Sequence, residues 1–208
     1  MAGKTPSDIK LRNTVLNRYK DLESLRKAYK SKQGDYKSKL DQLQELSLQS
    51  TQSLREAFER HGWPGPDVVG PDCAEALAYV SANATYDADF QNESTRLMGE
   101  ALPEGGICAH WYARLRDRYL VLSNRPTIYG SSFDAYLDDD GAFKLMEYEV
   151  VDPDNLNKRR AQVGFESVED ERLRFAKQAV EENWPLRTYE QCVKSFESIS
   201  IEGGYQSQ

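Results

Sequence analysis

Residues 128–151 decide the fold. They read Ile128-Tyr129-Gly130-Ser131-Ser132-Phe133-Asp134-Ala135-Tyr136-Leu137, then Asp138-Asp139-Asp140-Gly141, then Phe143 through Val151. Both flanks are rich in aromatic and β-branched residues, and Asp-Gly between them is a strong hairpin turn signal. Everywhere else the apolar residues recur at helical spacing. The expected class is therefore α+β: a predominantly helical body with one β-hairpin at about 128–151 and a long N-terminal helical arm.

Working back from the hairpin, a helix is expected from Ile107 to about Leu122, with Trp111, Leu115, Tyr119 and Leu122 on one side. Pro103-Glu104-Gly105-Gly106 separates it from a helix over about Asp87 to Leu102, and a short apolar helix starts near Asp72 and runs through Ala84. His61-Gly62-Trp63-Pro64-Gly65-Pro66 cannot continue a helix and closes the arm. Working forward, Asp152-Pro153 opens a helix reaching Val163, with Gly164 as its stop. Ser167 and Asp170 form an imperfect capping box for a helix through Glu182. Trp184-Pro185 ends that helix, a last helix spans Thr188 to Ser198, and the Gly, Ser and Gln of 201–208 read as a disordered tail.

From about Ser7 to Arg60 there is no proline, and Leu, Lys, Arg, Glu and Gln abound. A heptad stripe runs through Val15, Tyr19, Leu22, Tyr29, Tyr36, Leu40 and Leu43, with polar interruptions at Gln33, Ser47 and Ser50. Gly34-Asp35 is a helix stop followed by a new N-cap. Two forms fit: one long bent helix, or two helices folded as a hairpin. Either the stripe packs on the chain's own body or it meets a protein partner or a second copy. The expected division is a basic arm over 1–60 and a body over 61–200.

The net charge of −7 conceals an asymmetry. Residues 1–60 carry thirteen Lys and Arg against eight Asp and Glu, the remainder fourteen against twenty-six, so a +5 arm joins a −12 body. Lys10, Arg12, Arg18 and Lys20 interleaved with tyrosines form a pattern that nucleic acid can use, but the acidic whole makes that the weakest reading. Mean hydropathy is −0.74, no apolar run approaches the length of a membrane span, and the N-terminus shows no apolar signal region, so the expected compartment is the cytoplasm. Cys73, Cys108 and Cys192 fit no zinc spacing and are expected as free thiols. Only His61 and His110 are present, and no phosphate loop, dinucleotide fingerprint or nucleophile elbow occurs, so no metal or cofactor is expected. Asp138, Asp139 and Asp140 lack the alternating ligands of a calcium loop and read as a solvated turn.

Chemistry-bearing residues concentrate in 111–165. Asp117 and Arg118 are adjacent on a helix and point about 100° apart, so each needs a partner elsewhere. Arg159 and Arg160 are the candidates for Asp117. Such a set is either a buried packing network or a clamp for an anionic ligand built from Arg118, Tyr129, Arg159 and Arg160. Weak catalytic candidates are His110, Asp117 and Tyr129; a Cys108–His110 pair is weaker still, because the two side chains leave the helix in different directions.

The order Gly62-Trp63-Pro64, Val69-Gly70, Asp87, Phe90-Gln91, Tyr112-Ala113, Leu115, Asp117-Arg118, Pro126, Tyr129-Gly130, Asp152-Pro153, Arg159-Arg160, Val163-Gly164 resembles an uncharacterised bacterial family. Its members show Trp-Pro, Gln-His-Ala-Asp, Asp-Arg, Tyr-Gly-Thr-Gln and a paired arginine. The resemblance spans about residues 61–165. Here Ala82-Asn83-Ala84-Thr85 and Tyr129-Gly130-Ser131-Ser132 replace two of those motifs. If the replaced polar set forms the relatives' site, this chain lacks its proton-transfer group, and the resemblance implies a retained scaffold. The leading expectation is a non-catalytic accessory or interaction protein, set as an auxiliary subunit of a bacterial biosynthetic enzyme, that meets its partner through the arm. The alternative is a metal-free enzyme acting on a small anionic substrate near Asp117, Arg118, Tyr129 and Arg159.

Overall fold

The computed structural model describes residues 5–30, 36–104, 108–182, 184 and 187–190. Helices α1 (Ile9–Lys30) and α2 (Tyr36–His61) pack side by side, and the Lys39 ammonium donates to the Ala28 carbonyl, 2.8 Å, from the start of α2 to the end of α1. The chain is thus a helical hairpin rather than one bent helix. The break at Gly34-Asp35 and the side chain of Tyr36 lie outside the described residues.

The hairpin is not a free arm. α1 packs along α4 (Pro71–Ala82) as closely as it packs along α2, and α2 reaches α5 (Ala88–Ala101). Leu11, Val15 and Leu22 from α1, and Leu46, Leu54, Ala57 and Phe58 from α2, enter one core with Cys73, Leu77, Val80, Phe90, Met98 and Leu115. Val15 is 1% exposed and Leu22 3%; Tyr19 and Leu43 pack against the same core. The stripe expected to meet a partner is therefore largely covered by the protein's own helices, because α4 and α5 carry apolar faces that need the same cover. The boundary expected at residue 60 runs through a continuous core.

Polar fastenings lock this arrangement. The Arg12 guanidinium forks onto the Asp72 carboxylate with two contacts of 2.6 Å and donates to the Val69 carbonyl, 2.8 Å. This close approach explains Gly70: its φ is +88°, and a Cβ there would stand 2.5 Å from an Arg12 nitrogen. Hydrogen bonding to Arg12 holds the Asp72 carboxyl down at about 2. Arg55 bridges Asp87 and Glu93 on α5, while Asp87 also caps α5 by accepting from the Phe90 N–H, 2.8 Å. Phe58 stacks on Phe90 with ring centroids 5.6 Å apart.

After the short α3 (Pro66–Val69), α4 and α5, a 3₁₀ turn (Leu102–Glu104) leads to α6 (Ala109–Leu122). Strands β1 (Phe133–Leu137) and β2 (Phe143–Glu147) pair antiparallel, from Phe133 opposite Glu147 to Leu137 opposite Phe143. Asp138 closes their turn by accepting from the N–H groups of Asp140 and Ala142, and Gly141 takes φ +78°. The strands are shorter than the sequence suggests, because residues 128–131 bond elsewhere. A 3₁₀ turn (Pro153–Asn155) precedes α7 (Leu156–Gln162), and α8 (Val168–Glu181) starts at Ser167, whose hydroxyl accepts from the Asp170 N–H. A two-residue strand β3 (Arg187–Thr188) adds parallel to β1, giving the order β2-β1-β3. The helix expected over Thr188 to Ser198 starts one residue later: Thr188 ends β3, and Tyr189 and Glu190 are helical; residues 191–198, and the tail at 201–208, lie outside the described residues.

Removing residues 1–60 strips seven of the nineteen buried residues of the helical core described here, so the truncated chain should show no cooperative unfolding and no near-ultraviolet circular dichroism. In the full chain, Leu54→Ala should lower stability by about 2–5 kcal/mol in urea titrations.

Candidate functional site

The charged block builds one connected structure around the loop between α6 and β1. Asp117 lies on the face of α6 that meets this loop and is 0% exposed. Its carboxylate accepts from the backbone N–H of Ile128 (2.8 Å), Tyr129 (3.1 Å) and Ser131 (2.8 Å), and from the Ser131 hydroxyl (2.8 Å). The carbonyls of the same loop face the arginines of α7. Arg159 donates to Ile128 O at 3.0 Å. Arg160, also 0% exposed, donates to Tyr129 O at 2.7 Å and Gly130 O at 3.2 Å, and to Glu166 O at 2.8 Å. A peptide segment that leaves a helix and enters a sheet has no ladder of its own, and its buried polar groups need partners. Here side-chain charges from two helices provide them.

The expected ion pair between Asp117 and Arg159 or Arg160 is not formed. Arg160 instead pairs with the Glu171 carboxylate of α8. Glu171 also accepts from Arg114 of α6 at 2.8 Å and Arg174 at 3.3 Å. Both Arg114 and Arg160 lie about the ring of Phe165, at 4.9 and 5.0 Å from its centroid, a cation–π arrangement. Burial pushes the Glu171 carboxyl up, but the charges and hydrogen bonds of Arg114 and Arg160 outweigh it and leave it below the ordinary glutamate value. Arg159 is tied separately to Val151 O, to Asp152 O at 2.9 Å and to the Asp152 carboxylate at 3.3 Å. These contacts hold Asp152 in the left-handed region, at φ 47°, which non-glycine residues seldom adopt.

This geometry changes the assignment of several residues. Arg160 is sealed, and its Nε, Nη1 and Nη2 all donate to acceptors of the protein itself, so its guanidinium presents no face to solvent. Asp117 is sealed too, and its acceptor sites hold four donors, which removes it as a catalytic base. His110 rests 5.3 Å from the Trp111 ring and 6.4 Å from Phe165, and no acid hydrogen-bonds to it among the described residues. Burial and Arg114 lower its pKa against the opposing pull of Glu75. Cys108 turns toward Glu75, 3.8 Å away, rather than toward His110. Tyr129 is half-buried and edge-on to Phe165, 6.5 Å between centroids. Burial, then neighbouring Tyr112 and Asp117, raise its pKa over the opposing influence of Arg116 and Arg159. Arg118 is partly exposed and makes no ion pair among the described residues. Of the two departing motifs, Ser131 ligates Asp117, while Asn83 accepts from Arg26 of α1 and donates to Tyr79 O, 2.8 Å. Glu171, Arg114 and Phe165 escaped the sequence reading; Arg114 and Glu171 are 57 residues apart, so no local spacing pairs them.

The fold and this network define a helical α+β protein built around a buried carboxylate–guanidinium clamp. The chain belongs to a family of unknown function, DUF6624, whose model matches residues 31–182. The match takes in α2 and α8, and so reaches beyond the 61–165 core of the resemblance on both sides. No curated protein and no solved structure matches the chain. No helix among the described residues is long and apolar enough to cross a membrane.

Each buried donor left without an acceptor costs about 1–3 kcal/mol, so Asp117→Ala should lower stability by more than about 3 kcal/mol, against about 1 kcal/mol for Ser131→Ala, both read from urea titrations. The lowered Glu171 pKa sets a sign: its contribution is present above about pH 4.5 and is lost as pH falls through the lower folded value. The stability difference between wild type and Glu171→Gln should therefore be largest above pH 4.5 and shrink on acidification.

Proposed function

We propose that the protein is a non-catalytic accessory protein, a rigid platform that binds a protein partner. The observation that supports this reading is the engagement of the charged block: Asp117 and Arg160 are sealed and bonded to backbone, and they work as architecture. With the stripe of α1 and α2 covered, the partner contact is assigned to the solvent side of the hairpin. There Asp21, Ser24, Leu25, Gln42, Glu45, Leu46 and Gln49 line an open groove of about 350 Å3 between the two helices. Its floor is apolar, through Leu25 and Leu46, and its charged residues, Asp21 and Glu45, are both acidic. A basic side chain with an apolar stem, set on a partner's surface, complements it. An auxiliary subunit of a biosynthetic enzyme is one setting for such a platform. In α1, Arg12 and Arg26 already bond within the chain, which leaves fewer cations for a nucleic-acid backbone.

A second reading keeps a small anionic ligand. It is supported by the half-buried Tyr129, whose raised pKa keeps the hydroxyl a donor within the influence of Arg116 and Arg159. A metabolite screen by thermal shift, repeated with Arg118→Ala and Tyr129→Phe, addresses it: a response lost in both variants supports the site, and one kept in both removes it.

The leading reading is tested by affinity capture from native lysate with wild type and an Asp21→Lys, Glu45→Lys variant. Both positions are exposed, so folding should be unchanged by circular dichroism. A protein held by wild type and released by the variant is the expected result; equal capture by both refutes the groove.

A further inference from the structure

Strand alternation gives the β1–β2 sheet two faces. Phe133, Ala135 and Leu145 share one of them with Glu147, and α8 packs there: Phe133 meets Phe175, ring centroids 5.9 Å apart, and Glu147 bonds to Arg172. The opposite face carries Tyr136, Lys144 and Met146, and Tyr136 and Met146 are half-buried. A sheet with apolar side chains on both faces needs cover on both, and α8 covers only one. β3 runs beside β1 and ends at Thr188, and the next two residues, Tyr189 and Glu190, are already helical. The Tyr189 ring lies against Tyr136, 5.2 Å between centroids, so this helical turn begins on the second face. From there the sequence keeps the helical period. Tyr189, Cys192, Val193 and Phe196 fall at i, i+3, i+4 and i+7, with Gln191, Lys194 and Ser195 on the other side. A helix from Tyr189 to Ser198 is about 15 Å long, against about 17 Å for a strand the length of β1, so the run is long enough to cover the sheet.

We propose that residues 191–198 dock in cis on this second face of the sheet, continuing the helical turn at Tyr189 and laying Cys192, Val193 and Phe196 over Tyr136 and Met146. The occupant is the chain's own C-terminal segment rather than a second copy, because its attachment already stands on the surface it covers. Such a tether gives an effective concentration on the order of millimolar, which a separate chain must exceed to compete. The sheet is then covered on both faces, by α8 on one and by the C-terminal segment on the other. This inference is independent of any protein partner in the groove between α1 and α2.

Alkylation of the full-length chain by iodoacetamide, resolved by peptide mass spectrometry, tests the docking with Cys192 as reporter. The exposed Cys108 is the reference, the buried Cys73 reports that the body is folded, and each rate is divided by that thiol's rate in urea. Cys192 should react many-fold more slowly than Cys108. Phe196→Asp, on the segment, and Met146→Asp, on the sheet, should each speed Cys192 several-fold while Cys73 stays protected. The Cys192 rate should not change with protein concentration. Equal normalised rates for Cys192 and Cys108, or protection that survives both substitutions, would overturn the proposal. Protection that grows with protein concentration would overturn it too, by placing the segment on a second copy.

Discussion

The peptide segment from Ile128 to Ser131 must pass from a helix to a sheet through a region with little water, and Asp117 makes that possible. One carboxylate gathers three backbone N–H groups and a hydroxyl, while Arg159 and Arg160 gather the carbonyls on the other side. An isolated buried charge is very costly, but one whose acceptor sites are filled by fixed donors is stabilised without a direct counter-ion. The opposite charges thus act on each other through a strip of backbone. Everything C-terminal depends on it: the entry angle of β1, the position of α7 that carries the arginines, and the Glu171 contact that binds α8 to α6 and α7.

The N-terminal half follows a different physics. Its cohesion is apolar burial, from Val15 and Leu22 on α1 to Phe58 stacked on Phe90, with polar fastenings at the rim. Arg12 at Asp72 and Arg55 at Asp87 and Glu93 are partly exposed, so they contribute register more than free energy.

Much of this architecture was legible in the chain. Local chemistry marks local boundaries: Asp87 caps α5, Ser167 caps α8, Asp138 through Gly141 turn the hairpin, and Gly164 ends the helix that begins near Asp152. The concentration of charged and conformationally special residues between 111 and 165 also coincides with most of the Asp117–Arg160 network. Its internal pairing was not legible. Opposite charges suggested Asp117 with Arg159 or Arg160, but a backbone segment competes for both, and backbone partners carry no sequence signature.

The sequence by itself determined the helical class, the single hairpin and most helix ends, because periodicity, capping and turn chemistry act within a few residues. Only the tertiary structure decided that α1 and α2 belong to the core, that β3 joins β1, and that Glu171 answers Arg160. Those outcomes depend on which surfaces of separate elements meet, where an apolar stripe suits a neighbouring helix of the same chain as well as it suits a partner.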